Sequence, residues 1–331
     1  MRTLIIVGSK FSGKTSSYWK KNREQLTSAF SDADLFFPDP GELNCPKELE
    51  SAMAILFVGE DPFISRAVNA CFRFLANHPE KAIAFLPVNK DSALASHFNL
   101  PSNLSDYIDL IRRKQFVYQD VVKCHYIDVK GFPASYLILN DAIVGLSQAS
   151  SPLIVRTVMQ WIKFKSAGVP QRVSLVDNGD TLYEGNYLFS LILLGNKITS
   201  GPKIRSNVKL CQAYFDYFQL NLLPLKDYAS PLFSLLTGKT GDNPDHIFRH
   251  RSKGLELRGF GTEQEIIADG NYLGKLPATF IYLTKALRVV SPVIMKPVGT
   301  SWRKKLGVIT PASPISSRDV IQNNSNFYDE S

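Results

Sequence analysis

Short apolar runs alternate with amphipathic segments from Thr3 to about Pro101, the pattern left by the strands and covering helices of a parallel α/β layer. Runs at Leu4 to Val7, Leu35 to Phe37, Ala54 to Val58 and Ala82 to Leu86 predict strands. Helical spacing in Ser16 to Phe30, Ile64 to Asn77 and Asp91 to Phe98 predicts helices, the last closed by Pro101 and Ser102. Beyond Arg113 the chain is rich in aromatic and β-branched residues with turn signals between the runs, a composition that favours strands. These are expected at Phe116 to Val129, Ala134 to Leu139, Tyr187 to Leu194, Tyr214 to Leu222, Gly254 to Arg258, Gln264 to Ala268 and Thr279 to Ile281. Helices are expected at Leu153 to Ser166 and Tyr228 to Thr240. Asn178-Gly179 lies between two strand-like runs, the strongest short-range hairpin signal, so this half pairs antiparallel. The expected fold is an α/β N-terminal domain with a parallel sheet (1–114), then a C-terminal antiparallel β-sandwich domain (115–290). The tail, 291–331, is rich in Pro, Ser, Asn and Gly and is expected to be mobile.

A length of 331 residues exceeds one ordinary domain, and 44% hydrophobic content is that of a globular protein. No stretch approaches the roughly 20 apolar residues that span a bilayer, and Met1-Arg2-Thr3 opens no signal peptide. A soluble, cytoplasmic protein is expected. Cys45, Cys71, Cys124 and Cys211 lie far apart, which points to buried thiols and away from zinc or a disulfide framework. The net charge of +8 suits an anionic membrane surface or a phosphate-bearing ligand. Basic groups at Arg112-Arg113-Lys114, Arg249-His250-Arg251 and Arg303-Lys304-Lys305 carry no nucleic-acid motif around them, so no nucleic acid is expected.

Ligands of a parallel α/β sheet sit at the carboxyl ends of its strands, here the loops after Val7, Val58 and Leu86. The second of these opens Gly59-Glu60-Asp61-Pro62-Phe63-Ile64-Ser65-Arg66-Ala67-Val68-Asn69-Ala70. The third opens Pro87-Val88-Asn89-Lys90-Asp91-Ser92 and runs on to Pro101. In order, spacing and ungapped register these resemble the GGDGTLNEVVNG and PLGTGNDFARSLGIP segments of the diacylglycerol-kinase and sphingosine-kinase family. Leu139-Asn140-Asp141, Leu194-Gly195-Asn196, Ala213 to Asp216 and Asp269-Gly270-Asn271 fall where that family has further motifs, so the resemblance spans about residues 3 to 292.

The resemblance implies a lipid kinase that moves a phosphoryl group from ATP, with Mg²⁺, to a lipid hydroxyl such as that of diacylglycerol. Carried over by position, Gly59, Glu60 and Asp61 belong to the nucleotide loop, Asp61 and Asp216 to metal support, and Asp269 is the candidate base. Ser12-Gly13-Lys14 matches the family's NPxSGK turn, and Thr15 and Lys90 could add phosphate contacts. Such roles suit phosphoryl transfer, which needs charge neutralised at phosphate and a carboxylate to orient the hydroxyl.

Several departures act against phosphate. Pro62 replaces a glycine and lacks an N–H, Glu60 adds a carboxylate, and Phe63 replaces a threonine. Asn89-Lys90 and Ser92-Ala93 replace GT and ND, Arg66 replaces a glutamate, and Asn271 replaces the acid of DGE. A catalytically impaired relative that binds lipid or a partner, with no cofactor, is therefore an alternative. Gly8 to Thr15 also fits GxxxxGK[ST], so a P-loop NTPase is another. Expected partners are a lipid, an anionic membrane surface to which the protein is peripheral, and a second copy in a homodimer.

Overall fold

The runs of β1 (Thr3–Val7) put Leu4 and Ile6 on one face of a sheet and Ile5 and Val7 on the other, all buried. Such two-sided burial requires covering layers on both faces. α1 (Gly13–Ala29) leads to β2 (Ala33–Phe36), and β3 (Ala54–Gly59) to α2 (Asp61–Asn77). β4 (Ala82–Pro87) follows, then α3 (Ala93–Phe98) and α4 (Leu104–Arg112). The four strands pair in parallel in the order β2-β1-β3-β4. α1 and α4 pack into the core on one face, α2 and α3 into that on the other. α4 was not expected: its apolar positions Tyr107, Ile108, Leu110 and Ile111 fit barely two turns.

The computed structural model describes residues 2–39, 47–146, 153–167, 170–199, 201–204, 213–231, 245–261 and 263–292. Cys45, Cys211, Arg303-Lys304-Lys305, most of the Tyr228 to Thr240 helix and nearly all of the tail lie outside them. Cys71 and Cys124 are buried free thiols, as expected. Among the described residues, no helix is long and apolar enough to cross a membrane.

The second half comprises β5 (Phe116–Asp128), β6 (Pro133–Ile138), β7 (Asp141–Val144), α5 (Leu153–Ala167), β8 (Arg172–Asp177) and β9 (Asp180–Leu193). Then come β10 (Phe215–Asn221), β11 (Ile247–Ser252), β12 (Gly254–Phe260), β13 (Glu265–Ala268) and β14 (Asn271–Val290). Asn178 (φ 51°) and Gly179 (φ 89°) join β8 to β9 in the hairpin the sequence indicates. Asp269 (φ 46°) and Gly270 (φ 78°) turn β13 into β14 in the same left-handed conformation, which Asp and Gly tolerate best.

The antiparallel strands do not form the expected sandwich. β14 pairs with β12, β12 with β8, β8 with β9, β9 with β7, β7 with β13 and β13 with β14, which closes a ring of ladders around one core. β9 and β14 make this closure: they are long, and bulges let each serve different partners along its length. Instead of ending at Ile281, β14 runs to Val290, where Val289 pairs in parallel with Ile83 of β4. The parallel layer and the barrel thus share one continuous hydrogen-bonded sheet.

Candidate functional site

The loops after β1, β3 and β4 are tied together, with Gly8 N–H donating to Val58 O at 2.9 Å and Val88 N–H to Gly59 O at 3.0 Å. Phe63, in the first turn of α2, lays its ring over both glycines. A Cβ on Gly8 would lie 2.6 Å from that ring and one on Gly59 2.4 Å. Phe63 is only 5% exposed, and Phe11 packs on it with ring centroids 4.8 Å apart. Backbone near a glycine helps hold an anion only where the anion can come close. Here an aromatic ring occupies that approach on both loops.

Pro62 has a helical explanation. It stands at the start of α2, where a missing N–H costs nothing and a fixed φ assists. It also packs against Gly270, where a Cβ would come within 2.8 Å of Pro62 Cγ, and its carbonyl accepts from Asn271 Nδ2 at 2.9 Å. The amide that replaces an acid at position 271 therefore holds the start of α2 to the β13–β14 turn.

Asp61 is buried and turned inward. Its carboxylate accepts from Ser92 Oγ at 2.5 Å and from the N–H of Ala93 at 2.6 Å, with Leu94 N–H at 3.4 Å. It thus caps the first turn of α3, satisfying donors that a helix start leaves open. Burial pushes its carboxyl up, against the pull of those hydrogen bonds. Glu60 faces outward, accepting from Asn89 Nδ2 at 2.9 Å with Lys14 Nζ 3.7 Å away. Partial burial raises its carboxyl, but Ser12, Asn89 and Lys14 together hold it below its ordinary value. Gly13 opens α1, and Ser12 caps it by accepting from Lys14 N–H at 3.2 Å. Thr15 is fully buried with its hydroxyl unpartnered, and Lys90 is exposed.

Asp269, the candidate base, is 1% exposed. One carboxylate oxygen accepts from Ser65 Oγ at 2.6 Å and Leu139 N–H at 2.8 Å, the other from Asn140 N–H at 2.9 Å and Asp141 N–H at 3.1 Å. Asp141, buried beside it, accepts from Thr199 N–H at 2.9 Å, Thr199 Oγ1 at 2.5 Å and Asn140 Nδ2 at 2.6 Å. Tyr136 OH completes the cluster, 2.8 Å from Ser65 Oγ. Asp141, Ser65 and Thr199 were missed as site residues. Asp141 stood in a quoted motif segment, but nothing local in the sequence pairs it with Asp269. Asp216 belongs elsewhere, on β10, with Arg251 Nε 3.1 Å from its carboxylate. Among the described residues, no three His, Cys, Asp or Glu side chains converge as a metal site.

Burial, then the charge of Asp141, push the Asp269 carboxyl up to about 7; burial, with Asp61 adding to it, pushes Asp141 up to about 6. In the unfolded chain both ionise near pH ~4. Between those limits the folded state keeps protons that the unfolded chain has released, so stability falls as pH rises through the window. Buried His97, pushed down to about 4, has the opposite sign: its contribution is lost as pH falls below about 6.5. Burial and Lys123 hold His125 down in the same sense, so the imidazoles oppose the carboxyl pair up to about pH 7.5 and the comparison with a variant isolates the carboxyls. Asp141→Asn keeps an acceptor for Thr199 and removes the charge. Thermal melting followed by circular dichroism is expected to show wild-type stability declining between about pH 6.5 and 7.5, and a flatter profile in the variant. Equal slopes would mean that Asp141 neither takes up a proton of its own in this range nor raises the carboxyl of Asp269.

No family model matches the chain. The diacylglycerol kinase of Staphylococcus epidermidis is 23% identical over 257 residues, covering 74% of this chain and 77% of that protein. That of Staphylococcus saprophyticus is 21% identical over 248 residues, covering 72% and 76%. The crystal structure of a diacylglycerol kinase from Bacillus anthracis superposes with a TM-score of 0.61 at 18% identity, covering 88% of this chain and 96% of that one, which shows a common fold. Over about three quarters of its length this chain is therefore similar to lipid kinases of the diacylglycerol-kinase type, at low identity, and it shares their fold.

Proposed function

We propose that the chain is a lipid-kinase-like protein that engages a hydroxyl-bearing lipid of the diacylglycerol class and whose nucleotide side is closed. The observation that carries the second half of this reading is the Phe63 ring seated on Gly8 and Gly59. Displacing a buried phenyl ring and breaking its pair with Phe11 costs about 2–4 kcal/mol. A nucleotide entering there would bind roughly 30- to 1,000-fold more weakly than at an open loop. Ser12, Lys14, Thr15 and Lys90 have the chemistry to meet phosphate oxygens, but Asp61 caps α3 and Asp216 pairs with Arg251. The residues present do not fit Mg²⁺-ATP in this arrangement. The same ring disfavours a P-loop NTPase, because Gly8 opens the GxxxxGK[ST] segment. The lipid half of the reading rests on the kinship with diacylglycerol kinases.

Calorimetry with Mg²⁺-ATP is expected to give no saturable heat, and incubation with diacylglycerol in mixed micelles no phosphate transfer above background. Diacylglycerol alone should raise the melting temperature, as a ligand of the folded state does. Saturable Mg²⁺-ATP binding below about 0.1 mM together with transfer to diacylglycerol would overturn the reading.

A further inference from the structure

The β5–β6 turn is built to hold two apolar side chains out in water. Asp128 accepts through Oδ1 from the N–H of Lys130 at 2.8 Å and of Phe132 at 2.9 Å. The backbone closes beneath it, with Gly131 N–H donating to Asp128 O at 3.0 Å and Asp128 N–H to Phe132 O at 2.9 Å. Gly131 takes the left-handed conformation (φ 85°) that this closure needs. The turn is therefore fixed by its own hydrogen bonds, and its shape points to purpose. Val129 and Phe132 are each 64% exposed, the highest values among the large hydrophobic residues of the described chain, and exposed Lys130 lies between them.

We infer that this tip inserts into the interface of an anionic lipid bilayer, with Val129 and Phe132 entering the apolar boundary and Lys130 meeting the headgroups. Three observations favour a bilayer over a protein partner. The tip is convex, and two side chains offer a few hundred Å² at most, well short of the roughly 800 Å² per side of a stable protein interface. Its most exposed side chains are two apolar groups flanking a lysine, and the carboxylate of the turn is turned onto backbone N–H groups. The chain's net charge of +8 acts in the same direction.

Position gives the insertion a consequence. In the β5–β14 ladder Asp128 lies opposite Gly274, three residues from Asn271 and the turn that holds Asp269. At about 3.3 Å per residue that separation is roughly 10 Å along the strand. β6 gives a similar span, from Pro133 to Tyr136, whose hydroxyl meets Ser65. Leu139, whose N–H meets Asp269, lies seven residues beyond Phe132 at the far end of β6, roughly 23 Å along the strand, so docking the tip fixes β5, β6 and the start of β14 at the bilayer without placing the carboxylates on its surface.

The test uses the full chain and phosphatidylcholine vesicles with and without phosphatidylserine, all free of diacylglycerol, so that it is independent of the lipid-ligand reading. Phe132→Trp supplies a reporter. Its emission should shift to the blue on adding phosphatidylserine vesicles and be quenched by brominated acyl chains. Val129→Ser with Phe132→Ser should lower vesicle co-sedimentation at least about tenfold, as loss of two buried apolar groups implies, with melting unchanged because both positions are exposed. Lys130→Glu should weaken binding only where phosphatidylserine is present. Absence of vesicle binding, binding indifferent to these substitutions, or a blue shift that depends on protein concentration without vesicles would each overturn the inference.

Discussion

Asp269→Ala is expected to melt roughly 6 °C below wild type, at about 1.5 °C per kcal/mol for a chain of this size. The carboxylate stitches three separated segments: α2 through Ser65, the β6–β7 turn through Leu139, Asn140 and Asp141, and the β13–β14 turn that carries it. Removing it leaves four buried donors without an acceptor. Each orphaned donor costs about 1–3 kcal/mol, and partial relaxation brings the sum to about 3–5 kcal/mol, a large share of the 5–15 kcal/mol that holds a domain folded. Relief of repulsion from Asp141 offsets part of this at neutral pH. A melting temperature within about 1.5 °C of wild type would show that the carboxylate is not so engaged in solution. Loss of any activity in this variant, taken alone, would not mark Asp269 as a base, because the same change unknits the site.

Phe63→Thr is expected to act in two directions at once. Stability should fall by about 3 kcal/mol, since a buried ring is lost and its pocket only partly refills. The approach to Gly8 and Gly59 opens, and a hydroxyl returns at the helix start. Mg²⁺-ATP affinity measured by calorimetry should therefore rise at least about 30-fold, the lower end of what the ring's displacement costs. If the variant stays folded and still binds no nucleotide, the ring is not what closes this side. The capping of α3 by Asp61 then becomes the obstacle to remove.

Much of the fold was legible because it depends on local periodicity. The runs at Leu4, Ala54 and Ala82 became parallel strands, and Asn178-Gly179 made its hairpin. Asp269-Gly270 carried the same kind of turn signal and was read only as part of a motif, although its backbone explains both residues. The barrel was not legible, because closure depends on which strands meet β9 and β14 along their lengths, and pairing partners leave no local mark. The site divides similarly. Gly59, Asp61 and Asp269 are singled out by position alone, and at Phe63 the sequence shows only a lost hydroxyl. That the ring would fold back onto Gly8, 55 residues earlier in the chain, follows from packing between two loops. Pro62 and Asn271 looked like losses to a phosphate site and turn out to support the start of α2.

The reach of β14 has a temporal side. Its last residues complete the open edge of β4, and its first residues close the barrel. On a ribosome the pairing partner of β4 on that side is therefore made only after nearly every other described residue. The two halves of the sequence are successive in synthesis yet finished by the same strand.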